Sequence, residues 1–182
     1  MISQLISTER IHPNQAYVGI SKHPFMASFY FLGLHQTFPP VFLRIDPEES
    51  EKYIMIDGNH RTFWSHHFNN GKVKSYVVTL EDLVPDKLEE ANLPLRSLVH
   101  DTGSVQTDSC SDDQLVAHYS VLLRDLYNKA LSHKRVTQLD GVSSYDTIEV
   151  LGASKRLIHF LAKLKRQNKE NSAKNKTRSS YI

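Results

Sequence analysis

Six consecutive residues, Asp57-Gly58-Asn59-His60-Arg61-Thr62, gather a carboxylate, a carboxamide, an imidazole, a guanidinium and a hydroxyl between an apolar run and a helical pattern. That order suits an anion. Glycine lets the chain turn sharply and lets a ligand approach the backbone. The helix start beyond it presents amides without intrahelical partners and a partial positive charge, both favourable to phosphate. Arg61 can grip two phosphate oxygens at once, and Asn59, His60 and Thr62 add donors. Asp57 can accept a hydrogen bond from a hydroxyl or help hold Mg²⁺. The same residues also make an ordinary connector, in which His60 and Arg61 are exposed and Arg61 adds little to stability. Spacing leaves both readings open.

Other reactive side chains point to less. There are ten histidines, and His60, His66 and His67 fall on one short helical stretch. No His-x-x-x-His or Cys-x-x-Cys spacing accompanies them, so no dedicated transition-metal site is expected. The single cysteine, Cys110, cannot form an intramolecular disulfide. It sits among serines and aspartates with no activating base nearby in sequence, and a nucleophilic role is not expected. Trp64 beside His60-Arg61 reads as a core anchor, with stacking on a base as the alternative. Leu139 to Ile148 has a faint likeness to the turn and second-helix start of a helix-turn-helix. Asp146 and Glu149 at that start would repel DNA, so a plain packing element is preferred.

The elements that must position the turn follow from periodicity. His23 to Gln36 reads as a helix opening near Pro24, with Phe25, Phe29 and Leu32 at helical spacing and Gly33 weakening it. Thr37-Phe38-Pro39-Pro40 stops that helix. Val41–Ile45 and Tyr53–Ile56 read as strands, Thr62 to Asn70 as a short helix ended by Gly71, and Ser75–Leu80 as a third strand. Asp86 to Asn92 is a short helical stretch before Pro94. Ser111-Asp112-Asp113-Gln114 matches a capping box. Behind it Leu115, Tyr119, Leu122, Leu123, Leu126 and Ala130 form one apolar stripe. A second helix is expected from Tyr145 to Lys169, with Ile148, Leu151, Ile158, Leu161 and Leu164 on its stripe. These stripes read as core contacts.

Composition sets the frame. With 182 residues, 40% hydrophobic and 23% charged, the chain can build one domain, or one domain with a helical extension. Seven glycines and seven prolines exclude collagen-like structure and wholesale disorder. No apolar run approaches a membrane span, and Met1-Ile2-Ser3-Gln4-Leu5 lacks signal-peptide features, so a soluble cytoplasmic protein without membrane contact is expected. Net charge is +2, but Lys155 to Ile182 holds nine basic residues against one acid, Glu170. That segment therefore carries +8 and the body −6. The basic stretch from Lys155 to Arg178 is a candidate contact for DNA, or a solvated terminus.

Pro39-Pro40-Val41-Phe42-Leu43, the strand Tyr53–Ile56, Asp57-Gly58-Asn59-His60-Arg61, a short helix, Gly71 and Val73-Lys74-Ser75-Tyr76-Val77-Val78 together resemble the ParB/sulfiredoxin superfamily. Arg10-Ile11-His12-Pro13-Asn14-Gln15 is similar to that family's opening segment. The resemblance covers about residues 8–84. It implies an α/β (α+β) fold, a small mixed sheet with packed helices, followed here by a helical C-terminal region. It also implies a turn that binds nucleotide phosphates through Gly58, Asn59, His60, Arg61 and Thr62. Asp57 and His60 become the candidate catalytic pair, Asp57 the Mg²⁺ ligand, and ATP or CTP the cofactor.

Departures narrow the activity. Asn59 stands where sulfiredoxins carry cysteine. The acid and first arginine of the partition proteins' Gly-Glu-Arg-Arg are missing. Asn14 and Gln15 stand where the free-serine-kinase branch uses glutamate, and an amide cannot take a proton from a hydroxyl. Glu9, Asp46 or His12 would have to serve instead. The expected function is thus nucleotide binding with hydrolysis or transfer of the γ-phosphate of ATP or CTP. The alternative is a DNA-binding partition-like module or ParB-like nuclease using the basic C-terminal region. A binding protein that has kept the fold without turnover is a third reading. Expected divisions are a domain over 1–84, a helical extension over 85–169 and a flexible basic tail over 170–182. No oligomeric state is implied.

Overall fold

The computed structural model describes residues 1–19, 22–95, 98, 109–152 and 163. In chain order its elements are β1 (Gln4–Ser7), β2 (Ile11–His12), β3 (Tyr17–Gly19), α1 (His23–Phe31), β4 (Val41–Ile45), β5 (Tyr53–Asp57), α2 (Asn59–Phe68), β6 (Lys72–Val77), α3 (Pro85–Glu90), α4 (Asp112–Leu139) and β7 (Glu149–Leu151), joined in places by short 3₁₀ turns. The fold class is α/β, as expected. Five strands form a mixed sheet in the order β1-β6-β4-β5-β2. β4 lies at its centre, antiparallel to β5 and parallel to β6.

That central place explains the composition of β4. Val41, Phe42 and Leu43 are all fully buried, because both faces of the strand are covered. Side chains alternate across a strand. Val41 and Leu43 therefore join Met55 of β5, Met26 of α1, and Phe63 and Trp64 of α2 in one apolar cluster. Phe42 and Ile56 turn the other way, onto Leu88 of α3 and Leu115, Val116, Tyr119 and Leu123 of α4. The sheet is thus sandwiched between two helical layers. The long helix beyond residue 84 closes one whole face of the strands that carry the turn.

Local signals set several boundaries. The capping box at α4 is formed: the Ser111 N–H donates to Gln114 Oε1 at 2.9 Å, and the Gln114 N–H to Ser111 Oγ at 3.3 Å. Trp64 is 1% exposed, stacked against Phe68 and Tyr30, so it is a core anchor and offers no face to a base. No helix among the described residues is long and apolar enough to cross a membrane.

Other boundaries differ from expectation. The helix expected to reach Gln36 ends at Phe31, because Gly33 adopts a left-handed φ of 71° and a 3₁₀ turn over Leu34–Thr37 follows. α2 begins at Asn59, not Thr62, since Gly58 serves as its N-cap and Asn59-His60-Arg61 are its first turn. β6 starts three residues early, at Lys72, where β1 pairs with it.

The helix expected from Tyr145 does not start there. Glu149–Leu151 is a strand, parallel to β3, with Tyr17 opposite Glu149. Ile148 and Leu151 had looked helical in spacing, but Val142, Tyr145 and Ile148 enter the core beside Phe63 and Trp64 from a loop that turns over Ser144–Thr147. Beyond that turn Glu149–Leu151 pairs with β3, and the β-branched Val150 at its centre suits a strand. The helix-turn-helix likeness fails with it, for no second helix opens at Tyr145. Ile158, Leu161 and Leu164 lie outside the described residues. So does the basic stretch Lys155–Arg178, apart from the single position Lys163, and so does 170–182.

Candidate functional site

β5 delivers Asp57 to the end of the sheet, and Gly58 turns the chain into α2. Its φ is +120°, and a Cβ built there would stand 2.4 Å from Val41 Cγ1. Glycine is required at this point because β4 packs against it. The α2 amides of Asn59, His60 and Arg61 precede the first intrahelical bond, from the Thr62 N–H to the Gly58 carbonyl at 2.9 Å.

Each side chain of the turn meets another part of the protein. Asn59 is buried; its Nδ2 donates to Asn14 Oδ1, and its Oδ1 accepts from the Tyr145 hydroxyl at 2.9 Å. Asn14 in turn donates to the Ile56 carbonyl at 3.0 Å. The opening segment is thereby brought to the turn, with an amide facing an amide. Nε2 of His60 accepts the Gly19 N–H at 3.2 Å, which leaves Nδ1 to carry the proton of a neutral ring. Thr62 is fully buried beneath the helix start.

Arg61 is the hub. Its Nη1 donates to the Pro39 and Pro40 carbonyls at 2.6 and 2.9 Å, and its Nη2 to Asp57 Oδ2 at 3.0 Å. The side chain is only 13% exposed. The expectation of an exposed turn arginine with no structural weight is therefore overturned: it ties the entry of β4 to the exit of β5. The Tyr119 hydroxyl of α4 donates to the same Asp57 oxygen at 3.0 Å. Burial, and then the Asp57 charge, push the Tyr119 hydroxyl well above its ordinary range, so it stays a donor.

Arg61 also lines a cavity of about 560 Å³ between α2, β1 and β6. Its wall includes Tyr30, His35, Phe38, Lys72 and Lys74. The Tyr30 and His35 rings lie parallel, 4.8 Å apart, with an interplanar angle of 6°. Burial pushes the Tyr30 hydroxyl up to about 12, against the hydrogen bond with Ser65 and the charge of Arg61. Tyr30, His35, Lys72 and Lys74 were not singled out from the sequence.

The chain matches no protein-family model, and no curated protein or solved structure is significantly similar to it.

Two of the three replacement bases, Asp46 and His12, are committed to another cluster. Asp46, 1% exposed, receives Lys134 Nζ at 2.6 Å, and Lys134 also reaches Glu48 at 3.1 Å and Glu49 at 3.5 Å. His12 Nε2 stands 3.3 Å from Glu49 and 3.7 Å from Asp46. Burial alone would raise the Asp46 carboxyl. The Lys134 and Glu48 hydrogen bonds and the charges of Lys134 and His12 more than reverse this and hold it below the ordinary range. Lys134 is raised in the same way, its carboxylate partners outweighing burial. Cys110 packs against the α3/α4 cluster.

Proposed function

We propose that the protein binds a nucleotide, with its phosphates among the cations beside Arg61 and its base against the Tyr30–His35 stack. One observation carries this reading. Arg61, Lys72 and Lys74 line the cavity, and no carboxylate stands among the described residues of its wall. A wall of that charge favours a polyanion, parallel rings offer a face to a planar base, and the volume is that of an ordinary small-molecule site.

In this reading the glycine turn and the cavity share Arg61. Gly58, Asn59 and Thr62 hold the turn in shape, and the first amides of α2 add donors for phosphate. ATP and CTP are the ligands to try first, as the resemblance to the ParB/sulfiredoxin superfamily suggests. Asp57 fits Mg²⁺ only as a single ligand. Its Oδ2 already serves Arg61 and Tyr119, so the other oxygen and the nucleotide's own phosphates would hold the ion. Hydrolysis or transfer of the γ-phosphate would then rest on positioning and charge neutralisation, with Asp57 and His60 as the residues in contact with the reacting groups.

Lys72 and Lys74 are exposed, and replacing both should leave the fold intact. The expected result for Lys72→Ala/Lys74→Ala is an unchanged melting temperature and ATP and CTP affinities, read by isothermal titration, at least about tenfold weaker. Equal affinity in wild type and variant would rule the cavity out.

A further inference from the structure

His66 and His67, adjacent on α2, meet Asp146 from the turn ahead of β7. One ligating atom from each lies within 4.8 Å of the others. His66 Nε2 is 3.1 Å from Asp146 Oδ1. His67 Nε2–H donates to the carbonyl oxygen of Tyr145, the residue before Asp146, at 3.2 Å, so Nδ1 is the ring's ligating atom. The two imidazole rings stand edge-on, 4.9 Å apart.

The far side of His66 favours a cation at Nε2. Its Nδ1 is 2.7 Å from Oγ1 of Thr8, a residue 1% exposed, and that hydroxyl donates onward to the Gly71 carbonyl at 3.1 Å. With the Thr8 proton on Gly71, Thr8 Oγ1 accepts Nδ1–H. In the neutral ring the Nε2 lone pair then faces a carboxylate oxygen, an arrangement that a cation between them, a proton or a metal ion, relieves. A hydrogen-bonded second nitrogen is also what orients a metal-binding histidine. Two imidazoles and a carboxylate are a donor set suited to Zn²⁺ and its neighbours. Asp146 is 64% exposed, so it can move the short distance that closing onto a metal needs.

We propose that His66, His67 and Asp146 bind a divalent transition metal, with Zn²⁺ as the best-fitting ion. The metal clips the turn before β7 onto α2. It also braces Tyr145, whose hydroxyl holds Asn59 at the glycine turn. The proposal is independent of nucleotide binding. The second cluster of this type, His12, Asp46 and Glu49, already holds a cation, the Lys134 ammonium, and serves as the internal control.

The test is a calorimetric titration of the full chain with Zn²⁺ after chelator treatment and exchange into metal-free buffer, with melting temperature in parallel. The expected result is one Zn²⁺ per chain with a dissociation constant of about 1 μM or tighter, and a raised melting temperature. Asp146→Asn, an exposed and nearly isosteric change, and His67→Gln should each weaken binding at least about tenfold. Glu49→Gln should not. Failure of wild type to bind more tightly than about 100 μM would overturn the proposal. So would wild-type affinity in both Asp146→Asn and His67→Gln.

Discussion

Two carboxylates stand at the ends of neighbouring strands, Asp46 just past β4 and Asp57 closing β5, and each meets a cation. Because β4 and β5 are antiparallel, the pairs lie at opposite ends of the sheet. At one end Lys134 and Asp46 are 2% and 0% exposed, and the ammonium is ringed by Asp46, Glu48 and Glu49. At the other, Arg61 and Asp57 are 13% and 29% exposed, and Arg61 opens onto the cavity. A lysine is a point charge that three acceptors can saturate. An arginine is a fork that can hold two carbonyls and a carboxylate and still present a flank. The first pair is closed, and the second holds the scaffold while facing a ligand-sized space.

Breaking the closed pair should cost most. Lys134→Ala leaves Asp46 as a buried charge, and a loss of about 3–5 kcal/mol is expected in urea unfolding. The sign of its pH dependence follows from Asp46. Its folded value is depressed, so the stability it contributes is present above the ordinary carboxylate range and lost as pH falls through the lowered value. In the variant, protonation relieves the stranded charge, so the gap from wild type should narrow on acidification.

Arg61→Ala should cost less, about 1–3 kcal/mol by the same measurement. It strands the carbonyls of half-buried Pro39 and buried Pro40, both uncharged, while Asp57 keeps Tyr119. Equal losses in the two variants would dissolve the contrast between the pairs. The double lysine variant sharpens it from the other side, since its effect should fall on affinity and leave stability alone.

What the sequence made legible was local. Pro39-Pro40 ahead of Val41-Phe42-Leu43 marks a buried strand, Ser111 and Gln114 mark a helix start three residues apart, and Trp64 declares a core. The short strands β1, β2, β3 and β7 were not legible, because two to four residues carry no period of their own and gain their state from a partner. β3 and β7 are the clearest case: Ile148 and Leu151 keep helical spacing, yet the distant Tyr17–Gly19 edge decides the outcome. The candidate turn was found from its residue types. Its surroundings were found only in part: the resemblance named Asn14 of the opening segment, while Tyr119 and Tyr145 reach the turn only through the topology. The same holds for Asp146 beside His66, which no spacing rule connects.

The central claim is that Arg61 is the cation a nucleotide meets while Lys134 is sealed. Nitrogen-detected NMR of the arginine and lysine side chains during titration with ATP and with CTP, each with Mg²⁺, reads both groups in one sample. The account predicts that the Arg61 guanidinium resonance shifts and saturates with at least one of the two nucleotides while the Lys134 ammonium resonance stays in place. An Arg61 signal indifferent to both would contradict it.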